Sequence, residues 1–165
     1  MTAAYSAADW TDFGVAVAGS AAALTGLLFV AVSINLSRIL EFRNLPGRAG
    51  LTLILFAVPL ITAVFLLVPG QGTAALAGEL LATGIITGGF HVLVALRATR
   101  SAEEPPLTWL VSRFFPAVSC GCLAVAGATL LAGSGGGLYW LLPGVLLAII
   151  FGLANAWVLL VEIQR

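Results

Sequence analysis

The chain has 165 residues, of which 61% are hydrophobic and 8% charged, against roughly 25% charged in an ordinary soluble domain. A soluble fold this small has too much surface for its volume to hide that apolar content, so a water-soluble globule is excluded and a bilayer is the expected solvent. The formal net charge is zero, which leaves no global field to recruit nucleic acid, and the basic residues are all arginine.

The apolar residues come in blocks of about 20, the length that crosses a hydrocarbon core of roughly 30 Å. The first block, 13–36, is uncharged between Asp12 and Arg38. No basic region precedes it, since residues 1–12 carry Asp9 and Asp12 but no Lys or Arg, so it reads as a retained span and not a cleaved signal. The second, 50–68, contains Pro59, where a kink is expected, and ends in the turn Val68-Pro-Gly-Gln-Gly72. The third, 74–96, holds Glu79 and His91. A polar stretch with Glu104-Pro105-Pro106 follows and breaks the helix. From Phe114 to Val161 the chain is free of charge and too long for one crossing. The Gly-rich segment Ala132–Gly137 divides it into spans at 114–132 and 138–161. These lengths, without alternation, predict an all-α integral membrane protein, a single bundle of five transmembrane helices over residues 1–165.

The arginines orient it. Arg38, Arg43 and Arg48 fall between spans one and two, Arg97, Arg100 and Arg113 around the connection between spans three and four, and Arg165 at the end. With five crossings they all share one side, which the positive-inside rule makes cytoplasmic, leaving the N-terminus outside. Trp10, Tyr139 and Trp140 at outer boundaries and Trp109 at an inner one form the expected aromatic belt.

Small residues every four positions allow close helix approach in lipid. Span one has Gly14, Ala18, Ala22 and Gly26 at this spacing, and span five has Gly144, Ala148, Gly152 and Ala156. Packing inside one subunit is the plain reading; contact between copies in a homo-oligomer is the sharper one. Gly84 and Gly88 share a face with His91. Glu79, His91, Asn155 and Glu162 are the candidates for a polar pathway, because polar side chains in such segments face protein or water. Each also has a structural alternative, an interhelical hydrogen bond for Asn155 and a fixed or proton-handling role for His91. Asp9, Asp12 and Glu79 make the outer side acidic, and in an oligomer a ring of them would concentrate cations. Cys120 and Cys122, two positions apart on a helix, point to different sides and read as apolar fillers.

Catalysis is not expected: there is one histidine, no lysine, no nucleophile elbow and no phosphate loop. No metal site and no cofactor are expected either. The segment Ala21–Leu40, AAALTGLLFVAVSINLSRIL, followed by Leu45–Gly50, LPGRAG, resembles small multi-pass membrane proteins of GC-rich, actinobacterial-type bacteria. That resemblance implies a bacterial cytoplasmic (inner) membrane and transfers no ligand or catalytic residue. Two functions follow as expectations: a homo-oligomeric channel or permeation protein for cations or protons, or a non-catalytic accessory subunit of a larger membrane complex, with a membrane-protein partner.

Overall fold

The computed structural model describes residues 3–41, 45–97 and 106–164, the side chains of 106–113 and 162–164 excepted. Arg43, Arg100 and Arg165, and the side chains of Arg113, Trp109 and Glu162, therefore lie outside the described residues. The remainder is helical: two short 3-10 turns, Ala3–Tyr5 and Ala7–Trp10, then α1 Thr11–Ile34, α2 Leu36–Glu41, α3 Leu45–Leu66, α4 Thr73–Arg97, α5 Pro106–Ala132, a 3-10 turn Gly137–Trp140, and α6 Leu141–Gln164. Five stretches are long and apolar enough to cross a membrane: Ala7–Ile34, Leu45–Leu66, Thr73–Arg97, Phe114–Ala132 and Gly137–Val161.

The differences from the expected boundaries have local causes. The helix of span one stops at Ile34 because Asn35 leaves helical geometry and turns its side-chain Nδ2 onto the Ala31 carbonyl at 2.8 Å. The chain then makes the separate short helix α2, which turns Ile39 inward and leaves Arg38 exposed. Helix α3 begins five residues before position 50, since Leu45 and Ala49 are buried and extend the packed face. It runs without interruption through Pro59. Helix α5 starts at Pro106, eight residues before the apolar block, because proline suits a first helical position, where no amide donor is required. Pro116 consequently stands inside that helix.

Each helix has its own neighbours: α1 lies along α3, α3 along α6, α6 along α5, and α5 along α4 in the closest pairing of the bundle. Three buried clusters run from end to end. At the end that carries the amino-terminal turns, Trp10, Leu66, Leu76, Leu80, Leu123 and Leu138 pack together. Next to them, Val17, Ala63 and Val145 join α1, α3 and α6. At the other end Leu28, Ile39, Leu45, Phe56 and Leu159 close the bundle.

The tight α4–α5 seam rests on missing side chains. A Cβ on Gly84 would lie 2.5 Å from the Ala124 nitrogen, and one on Gly127 would lie 2.5 Å from the Ala77 carbonyl oxygen. Real Cβ atoms do not come so close to backbone, so both positions require glycine at this separation. Gly88 adds a looser contact with the Cys120 side chain. In α6, Gly144 faces α5 at Leu123 and Cys122, whereas Gly152 receives the ring of Phe56 from α3. Ala148 between them is fully buried, and Ala156 is half-buried against the closing cluster. The stripe of span five is thus used within the chain, on two successive neighbours.

The stripe of span one is not one face. Gly14 touches Leu66 and Leu67 and Ala18 is half-buried, but Ala22 and Gly26 are exposed and a Cβ on Gly26 would meet nothing. Steps of four advance about 40° each around a helix of 3.6 residues per turn, so the line winds off the contact. The buried positions of α1 are instead Gly14, Ala21 and Leu28, which keep seven-residue register, and Val17 three residues after the first of them.

Candidate functional site

Polar side chains are few in these helices, and their positions decide what the bundle can do. Glu79 stands in the second turn of α4, half-buried. Its Oε2 accepts a hydrogen bond of 2.6 Å from Nε2 of Gln71, which comes from the turn between α3 and α4. The Gln71 amide oxygen, Oε1, is buried and has no partner among the described residues. Sequence reading passed over Gln71 as a turn residue. Its position eight residues before Glu79, across a helix start, was the available signal.

His91 sits on the same helix, about 18 Å further along its axis at 1.5 Å per residue. It is buried, with 3% of its surface exposed, and lies on the same seven-residue line as Ala77 and Gly84. Its Nδ1 is 2.8 Å from the Thr87 carbonyl oxygen, which can only accept, so Nδ1 carries a proton and donates it there. Nε2 is buried and has no hydrogen-bond partner among the described residues. The Thr87 hydroxyl turns back onto Thr83, and the Ser119 hydroxyl donates to the Pro116 carbonyl.

Asn155 is half-buried on α6, one heptad beyond Ala148, and no described residue hydrogen-bonds its side chain. These three polar side chains therefore do not meet. Glu79 is tied to a turn at one end, His91 lies in the α4–α5 seam, and Asn155 is on a helix that packs along α3 and α5. Asp9 and Asp12 are exposed, one in the second 3-10 turn and the other in the first turn of α1. Glu162 is outside the described side chains. Among the described residues no three His, Cys, Asp or Glu side chains gather as metal ligands. Cys120 and Cys122 are free thiols, the first against Gly88 of α4 and the second against Gly144 of α6, as two positions of helical offset require.

The amino-terminal turns form a strap over one end of the bundle. Trp10 is buried: it donates from Nε1 to the Ala3 carbonyl at 2.8 Å and packs edge-on against Phe13 and Tyr139. Tyr5 accepts a hydrogen bond from the Gly136 amide. The partner turn can approach because Gly135, Gly136 and Gly137 all hold positive φ, which side-chain-bearing residues rarely adopt. Between this strap and the α3–α4 turn lies a cleft of about 530 Å³, with Tyr5, Ala7 and Thr11 on one wall and Leu67, Val68 and Gln71 on the other.

Comparison of the chain with protein-family models, with curated proteins and with solved structures gives no match, so its function rests on its own geometry.

Proposed function

We propose that the chain is a five-span protein of a bacterial cytoplasmic membrane, N-terminus outside and C-terminus inside, that serves as a non-catalytic accessory or assembly subunit. The observation that supports this reading over a pore is the separation of Glu79, His91 and Asn155. Conduction needs polar groups stacked along one axis or cavity. Here Glu79 is engaged by a turn and His91 by its own helix, about 18 Å apart along α4 at 1.5 Å per residue. A bundle of this kind contributes surface. Helix α1 offers the most, since only 17% of its most apolar stretch is buried, against 50% for α3.

The test is reconstitution of the purified protein into liposomes with proton and monovalent-cation flux measured across a range of pH. No flux above protein-free liposomes is expected. Flux that falls in Glu79→Gln or His91→Ala would contradict the proposal and restore the channel.

A further inference from the structure

We draw no further inference here: the strongest candidate, the uncovered face of α1 on which Ala16, Gly19, Ala23 and Gly26 stand exposed, is a stripe of small residues, and nothing in the structure shows what covers it.

Discussion

Gly84 of α4 lies so close to Ala124 of α5 that a Cβ on the glycine would stand 2.5 Å from the Ala124 backbone nitrogen. Gly127 of α5 repeats the relationship in reverse, against Ala77 and Leu81 of α4. The two helices are thus in backbone contact at two levels. In lipid, where apolar side chains gain little by leaving their surroundings, such close packing is the main source of helix association.

Gly84→Ala and Gly127→Ala are each expected to destabilise the folded bundle by about 1–3 kcal/mol, because the neighbour in each case is backbone and cannot rotate away. Gly26→Ala, where an added Cβ meets nothing, should be neutral within about 0.5 kcal/mol. Reversible unfolding in mixed micelles checks the contrast; equal effects at Gly84 and Gly26 would count against the seam.

His91→Leu should leave stability within about 1 kcal/mol of the parent, or raise it. The substitution removes a buried nitrogen with no hydrogen-bond partner among the described residues, along with a hydrogen bond to a carbonyl of its own helix. The same unfolding measurement tests this. A loss above about 3 kcal/mol would mean that Nε2 has a partner that matters to the fold.

Tyr5→Phe deprives the Gly136 amide of its acceptor and should loosen the strap by about 0.5–1.5 kcal/mol. Hydrogen exchange resolved to the Gly135–Trp140 segment should speed up several-fold there, while the α4–α5 seam keeps its protection. Unchanged exchange in that segment would show that the Trp10 contacts alone hold the strap.

The arrangement in the membrane makes its own prediction. With Cys120 and Cys122 replaced by alanine, a cysteine at the exposed position Ser134 should react with an impermeant thiol reagent added outside intact cells. One at the exposed position Glu41 should react only after the cells are opened. Labelling of both from the same side would refute five crossings.

The elements were legible because each span is a long apolar run, charged only at Glu79, bounded by arginine, proline or glycine clusters, and most of those boundaries matched the helices to within about five residues. The exception is the start of α5 at Pro106, a first helical position, where proline's backbone preference outweighs hydropathy. Contact faces were less legible. Counting small residues every four positions found Gly144, Ala148 and Gly152, but it misassigned Ala22 and Gly26 and missed Gly127. The seam follows alternating steps of three and four instead, Ala117, Cys120, Ala124 and Gly127 against Ala77, Gly84 and His91. The strap was hidden for another reason. It depends on how separate turns converge at one end, which no local pattern encodes.

The most direct test of the accessory-subunit account is photo-crosslinking in native membranes from the uncovered face of α1. A photoreactive phenylalanine analogue at Phe29, which is 63% exposed, is compared with one at the buried Leu28. The account predicts one discrete adduct with a different membrane polypeptide from position 29 and only intrachain products from position 28. An adduct between two copies of this chain, or none from position 29, would contradict it.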